Sequence, residues 1–267
     1  MKLISVINSP PPESLIDFII ENYHTHEEIK HIYTKKHFDW YLSKNNANYY
    51  EFVYIELHEV IIACIMLINI KNTPNNLLYI NFSCTHKNYR KQGLSKYILN
   101  HLYNKAYDNE NVYFYTIKPF TFLKTYTIFN FLHLYKETIL KNTFKPLNIK
   151  LIKNINNYQN SEFHKTISIY NTFFSDYKIV LYKVLLKEHS KIYTNYYIVE
   201  SNTKITFNIL CNIFNTLTDA DIISFTDLNI DKNLLSNKTI VYGNKNYLYY
   251  LSKSENSDDL SFSINIF

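Results

Sequence analysis

Arginine and glycine are almost missing from this chain: Arg90 is the one arginine in 267 residues, and Gly93 and Gly243 are the two glycines. So little glycine leaves few places where the backbone can turn left-handed without cost. Cysteine is scarce too. Cys64, Cys84 and Cys211 are far apart and odd in number, which excludes a disulfide framework and fits a reducing cytosol. No Cys/His cluster has zinc spacing. Long apolar runs are absent: residues 61–70 form the longest and include Asn69, too short to cross a bilayer and suited to a buried strand. The first residues lack a signal-peptide apolar stretch, and Lys2 excludes a lipid-accepting glycine at that position. The net charge of +5 comes with no basic block, so nucleic-acid binding is not indicated.

What is abundant is Tyr (26 residues) and Phe (18), with Asn, Lys and Ile. These residues have AT-rich codons, and the scarce ones have GC-rich codons. The bias is read as genomic first and physical second, as an AT-rich virus or intracellular organism would produce. It weakens Asn as a turn signal and Tyr as a mark of binding surfaces. At this length, with 46% hydrophobic residues, the chain can bury one large core or two modest ones.

Taken in order, Pro10-Pro11-Pro12 ends an irregular lead, and Pro12 and Glu13 suit a helix start. Leu15, Phe18 and Ile19 give that helix an apolar face. Residues 24–32 are polar and read as a loop. Thr34 caps a second helix carrying Phe38, Trp40, Tyr41 and Leu42. Residues 50–57 and 60–70 are strands, joined by His58-Glu59 into an antiparallel pair. Residues 77–84 are a strand, followed by a basic loop and a helix on which Leu94, Ile98, Leu102 and Ala106 recur at i+4. Residues 111–116 and 136–144 read as strands, with a mixed segment to Tyr135 between them. From Pro146 to about 163 no regular signal appears, and the domain boundary is expected near 146. Beyond it, strands are expected at 167–174, 179–186, 193–199, 220–225, 247–251 and 260–267. Thr203 is expected to cap a helix through Leu217, and Asp231 a short one to Leu235. The order echoes the first half, so the chain reads as two related α/β halves.

One stretch stands out. Arg90 and Gly93 fall within four residues of each other at the start of the helix after strand 77–84. Arg-x-x-Gly-x-Ser lets backbone N–H groups approach a phosphate at a helix N-terminus, whose dipole favours anions. The second half has no echo of this turn.

Strand, Arg-x-x-Gly-x-(small), helix is the acyl-CoA motif of the GNAT acyltransferases, which this stretch resembles. Asn81-Phe82-Ser83-Cys84-Thr85-His86-Lys87 is similar to the Asn-Phe-Leu-Cys-x-His-Lys segment of glycylpeptide N-myristoyltransferases. Other stretches resemble that family in the same order. They are Ile20-Glu21-Asn22-Tyr23 with Glu27-Glu28, Phe38-Asp39-Trp40-Tyr41-Leu42, Tyr115-Thr116, Asp227-Leu228, Gly243-Asn244 and Tyr249-Tyr250-Leu251.

The resemblance implies an α/β fold of two GNAT-like halves, each a mixed, mostly antiparallel sheet flanked by helices, together forming a continuous saddle-like sheet. Residues 1–146 would bind acyl-CoA, and residues 147–267 would bind peptide and supply the C-terminal carboxylate. The implied reaction moves myristate from myristoyl-CoA, as co-substrate and without metal, to the α-amine of an N-terminal glycine by direct attack. Arg90, Lys91, Gly93, Leu94, Ser95 and Lys96 would hold the CoA pyrophosphate, with Cys84 and Thr85 beside it. The backbone amides at Phe82 and Ser83 would hold the thioester oxyanion. Ser83 stands where the family usually has Leu, a change a backbone donor tolerates. Thr116 would position the amine, and the carboxylate of Phe267 would be the base. Glu27, Glu28, Tyr115, Thr116, Gly243 and Asn244 would meet the peptide. The family's N-terminal cover over the acyl-CoA has no counterpart here, its acidic loop is reduced to Glu27 and Glu28, and Asn244 replaces an Asp. Two alternatives stand beside this reading: a GNAT N-acetyltransferase acting on a protein or small amine, and a non-catalytic acyl-CoA-binding relative. The expected setting is cytoplasmic, in host cytoplasm for a viral protein. The expected form is a monomer without nucleic-acid partners or stable membrane insertion, acting on proteins or peptides with N-terminal glycine.

Overall fold

The computed structural model describes the chain outside residues 24–28, 44–46, 71–76, 109–111, 117–124, 140–144, 146, 153–163, 171–176, 228–229, 232, 235–238 and 252–267. In chain order the first elements are β1 (Lys2–Ile7), α1 (Glu13–Asn22), β2 (Ile29–Ile32), α2 (Lys35–Tyr41), β3 (Ala47–Leu57), β4 (Val60–Ile70), β5 (Leu77–Thr85), α3 (Leu94–Asp108), β6 (Val112–Thr116) and β7 (Thr125–Tyr135). They are followed by β8 (Asn148–Ile152), β9 (His164–Tyr170), β10 (Tyr177–Glu188), β11 (Lys191–Ser201), α4 (Phe207–Thr216), β12 (Ile222–Thr226) and β13 (Ile240–Leu251).

The chain divides into two compact units. The first holds the described residues of Met1–Glu27 and Tyr33–Ile128 with residues 246–251, and the second holds β2 and the described residues of Phe129–Lys245. The boundary expected near residue 146 falls inside the second unit.

In the first unit the strand order is β1-β3-β4-β5-β6, with the end of β13 beside β6. Every pairing is antiparallel except β5 with β6. The β3–β4 hairpin turns through His58 and Glu59, both left-handed at φ 48 and 64. This is the backbone a two-residue hairpin demands, here built without glycine. Helix α3 lays Leu94, Ile98, Leu99 and Leu102 onto Val53, Ile55, Ala63, Ile65 and Leu67. Each such buried side chain contributes roughly 1.5–3 kcal/mol. Alternation turns Cys64, Met66 and Ile68 to the opposite face, and α1 packs against β4, β5 and α2. The buried carboxylate of Glu51 on β3 accepts from Ser5 on β1 (2.6 Å), from Tyr49 (2.5 Å) and from Lys105 on α3 (2.7 and 2.8 Å). Burial pushes Glu51 up, but Lys105 and the two hydroxyls outweigh it and hold the carboxyl below its ordinary value.

In the second unit β10 is central. Its one edge pairs with β11; its other pairs with β9 over Tyr177–Tyr182 and with β2 over Leu185–Glu188. Beyond β11 come β12, parallel, and then β7, antiparallel, while β8 follows β9. Thr206 caps α4 by accepting from Ile209 N at 3.2 Å, and the helix buries Ile209, Leu210, Ile213 and Phe214 on the sheet. Both units thus contain a strand–helix–strand crossover between parallel neighbours, β5-α3-β6 and β11-α4-β12. The two mostly antiparallel α/β halves expected from the sequence are present.

Several local expectations are corrected. The irregular lead is β1, and the polar loop 24–32 ends in β2, whose four residues owe their extended shape to β10. The described part of the mixed segment to Tyr135 is β7, and the strand expected at 136–144 begins with a 3-10 turn, Lys136–Thr138. The unpatterned stretch after Pro146 contains β8. The α4 cap is Thr206 rather than Thr203, and the expected short helix after Asp231 is, among the described residues, one 3-10 turn. The strand expected at 260–267 lies outside the described residues.

His37 is buried in the first unit, and His133 is partly buried in the second. Burial lowers His37 on α2 to about 3 and His133 on β7 to about 4. Below about pH 6.5 the unfolded chain takes up protons that these folded histidines refuse, so stability falls as pH drops from there toward the folded values. Glu51 adds a loss lower still, as pH falls through its depressed value. Urea unfolding between pH 7 and 4 should therefore show declining stability, and His37→Phe should flatten that decline relative to the parent protein.

Candidate active site on β5 and the start of α3

Strand β5 is not regular. Its pairing with β4 shifts register between Cys64/Met66, so Asn81 faces Met66 and Cys84 faces Cys64. The extra residue is accommodated at Phe82, whose φ is 46. That is a β-bulge, which bends a strand and re-aims its backbone groups. On the opposite edge the described pairing with β6 covers Leu77↔Tyr113 to Tyr79↔Tyr115, short of Phe82.

A phenylalanine in the left-handed region is strained, and its ring shows what holds it there. The Phe82 side chain is buried (1% exposed) and lies 5.1 Å from the Tyr23 ring, 5.0 Å from Tyr33, 4.9 Å from Phe38 and 6.1 Å from Tyr41, mostly edge-on or tilted. Such aromatic pairs add roughly 0.5–1.5 kcal/mol each beyond their buried area. The bulge is thus anchored by α2, by the end of α1 and by Tyr33. Asn81 completes the frame: its Oδ1 accepts from the Phe82 N–H at 2.9 Å and its Nδ2 donates to the Tyr41 hydroxyl at 3.2 Å. Beside it the Cys64 thiol meets Cys84 Sγ and the Phe82 carbonyl, each at 3.5 Å. Burial, then the neighbouring thiol, push Cys64 well up, so it stays a neutral packing group.

After β5 the chain makes a single 3-10 turn, Lys87–Tyr89, capped by His86. Arg90 then reaches back, its Nε donating to the Thr85 carbonyl at 3.0 Å, which fixes the guanidinium at the strand end. Lys91 (φ 64) and Gly93 (φ 78) are both left-handed. They fold the backbone tightly into α3, whose first i→i−4 bond runs from Tyr97 N to Gly93 O. The N–H groups ahead of that bond have no intrahelical acceptor, and Arg90, Lys91 and Lys96 belong to this turn and the first turn of the helix. Thr85 and Ser95 join hydroxyls at 3.1 Å, locking strand end to helix start. The arrangement suits a polyanion such as a pyrophosphate.

Phe82, Ser83, Cys84, Thr85, Arg90, Lys91, Gly93, Leu94, Ser95 and Lys96 therefore form one strand–turn–helix unit. Tyr115 and Thr116 end β6, the parallel neighbour of β5, with Thr116 opposite Tyr247 on β13. Gly243 and Asn244 lie on β13, in the second unit. Glu27, Glu28 and Phe267 lie outside the described residues. The sequence did not mark Asn81, Tyr33 or Cys64 as site residues. Nor did it show that Tyr23, Phe38 and Tyr41, which lie in segments with family resemblance, converge on Phe82. Among the described residues no group of His, Cys, Asp and Glu could hold a metal ion, and no described helix is long and apolar enough to cross a membrane.

A bulged strand opening into a basic turn and a helix N-terminus is an arrangement suited to a ligand that carries phosphate. Residues 13–120 match the model of the acetyltransferase (GNAT) family. Over nearly the whole chain, the fold is similar to Saccharomyces cerevisiae N-myristoyltransferase with bound myristoyl-CoA, at 11% identity and TM-score 0.59, covering 93% of this chain and 83% of that one. Another structure of the yeast enzyme, with myristoyl-CoA and inhibitors, gives 12% identity and TM-score 0.63 over 93% and 80%. A GCN5-related N-acetyltransferase from Anabaena variabilis gives 8% and 0.50 over 92% and 72%. At these identities the likeness is one of fold. No curated protein matches the sequence.

The turn makes a direct prediction. A Cβ at Gly93 would meet nothing within 4 Å, so only its φ of 78 resists substitution. Gly93→Ala should cost about 1–2 kcal/mol in denaturant unfolding, and Gly93→Asn distinctly less, because Asn tolerates left-handed backbone.

Proposed function

We propose that this protein is an N-myristoyltransferase, moving a myristoyl group from myristoyl-CoA to the α-amine of an N-terminal glycine. The observation that carries the reading is the left-handed Phe82 bulge placed on the same strand that runs into the Arg90–Gly93 turn. A thioester carbonyl at the bulge and a pyrophosphate at the turn are the two ends that one acyl-CoA must present. The likeness of fold to the yeast enzyme supports the choice of acyl donor.

In the reaction the neutral amine attacks the thioester carbonyl carbon, and a C–N bond forms. Charge gathers on the carbonyl oxygen, where backbone N–H groups at Phe82 and Ser83 would stabilise it. The intermediate then collapses, the C–S bond breaks and the CoA thiolate leaves, taking a proton. An α-amine has an ordinary pKa of about 8, so its neutral form costs roughly 1.4 kcal/mol at pH 7, against roughly 4.6 for lysine. A weak base suffices, the role that the family resemblance gives to the Phe267 carboxylate. Burying a chain of this length gains on the order of 10 kcal/mol at about 0.8 per methylene, which separates a myristoyl donor from a short one.

A second reading, acetyl transfer, draws on the family match over residues 13–120. One assay separates the readings: the purified protein with myristoyl-CoA or acetyl-CoA and a peptide beginning with Gly or, as control, Ala, followed by mass spectrometry. Myristoyl addition to the Gly peptide alone is expected. Acetyl addition would support the second reading, and binding without transfer would overturn both. Arg90→Ala should raise the KM for acyl-CoA about tenfold or more, the scale of a charge-assisted hydrogen bond. Arg90→Lys should not restore it, since lysine cannot brace on the Thr85 carbonyl with a planar fork.

A further inference from the structure

The Phe82 N–H, the group that the proposed reaction would turn toward the thioester oxygen, already has a partner. Asn81 Oδ1 accepts from it at 2.9 Å. The same oxygen faces the Tyr23 hydroxyl at 3.4 Å, and Asn81 Nδ2 donates to Tyr41 at 3.2 Å. This orientation is fixed by chemistry. The Phe82 amide can only donate, so the oxygen of the carboxamide must face it, and a flipped Asn81 would set donor against donor. Tyr41 is a steady acceptor, because burial pushes its phenol up to about 12, with the Asn81 bond acting weakly the other way. The carboxamide is therefore clamped between the end of α1, the end of α2 and the bulge.

We propose that Asn81 is a positioning residue that caps the Phe82 amide in the free protein and yields it to the thioester oxygen when acyl-CoA binds. This rests on the reading that Phe82 N–H serves the acyl carbonyl. An N–H left bare in a buried site carries the full cost of its lost hydration. Asn81 removes that cost before the substrate arrives and keeps Phe82 in its left-handed conformation. The exchange is one hydrogen bond for another. A carbonyl thus binds the free protein less tightly than it would a site with a bare N–H. Tyr23 and Tyr41 set how readily the carboxamide lets go, which links the α1 and α2 ends to carbonyl capture.

Two unreactive donors test this: a long-chain ketone analogue of acyl-CoA, with a methylene between sulfur and carbonyl, and an S-alkyl-CoA of equal length with no carbonyl. Calorimetry on the parent protein, Asn81→Ala and Tyr41→Phe gives the comparison. Asn81→Ala should tighten the ketone analogue about fivefold or more relative to the S-alkyl compound. Tyr41→Phe, which keeps the ring in the aromatic cluster, should move the same ratio in the same direction by less. A ratio unchanged in both variants, with both analogues still binding, would overturn the capping role and leave the transferase reading standing. Failure of the parent protein to bind either analogue would overturn the transferase reading, and the capping role with it. A general loss of packing would weaken both analogues alike, so the ratio separates positioning from mere structure.

Discussion

Everything at the candidate site depends on one strained backbone. Phe82 sits left-handed in the middle of a strand at φ 46, a conformation that costs an ordinary residue roughly 1–2 kcal/mol. Its ring offsets that cost by filling a cluster built from Tyr23, Tyr33, Phe38 and Tyr41. Remove the kink and β5 becomes a regular strand whose N–H groups point only at its neighbours. With the kink, strand, turn and helix start combine into one cradle.

The same economy appears elsewhere. Among the described residues Asn8, His58, Glu59, Phe82, Lys91 and His189 all have positive φ without being glycine. In a chain with two glycines, turns that usually take one are made by other residues and stabilised by what surrounds them. Gly93 is then informative, because it stands where the chain must fold tightly from the Arg90 brace into α3. There the backbone takes a φ of 78, which glycine adopts without strain.

Much of the site was legible. Arg90, Gly93 and Ser95 announced a turn into a helix by type and spacing, and the apolar run before them announced a strand. The hairpin at His58-Glu59 and the buried face of α3 followed from periodicity. What was not legible has a common cause. The β2 strand is four residues, Ile29–Ile32, whose extended form comes from pairing with β10, more than 140 positions away. The β1 and β8 strands are six and five residues long, and among the described residues each pairs with one neighbouring strand, so their patterns are too short to stand out. Asn81 read as one asparagine in a chain full of them.

The sequence by itself determined the two α/β halves, the strand–turn–helix with its lone arginine, and the chemistry such a turn can serve, because these depend on contacts between near neighbours. Only the tertiary structure decided that β5 would kink at Phe82, that four distant aromatic rings would hold it there, and that Asn81 would occupy its amide. Those outcomes depend on which side chains the packing of α1 and α2 against β4 and β5 brings together, and no local pattern encodes that. The Arg90–Gly93 turn is thus written in the sequence, and the Phe82 bulge beside it is made by the fold.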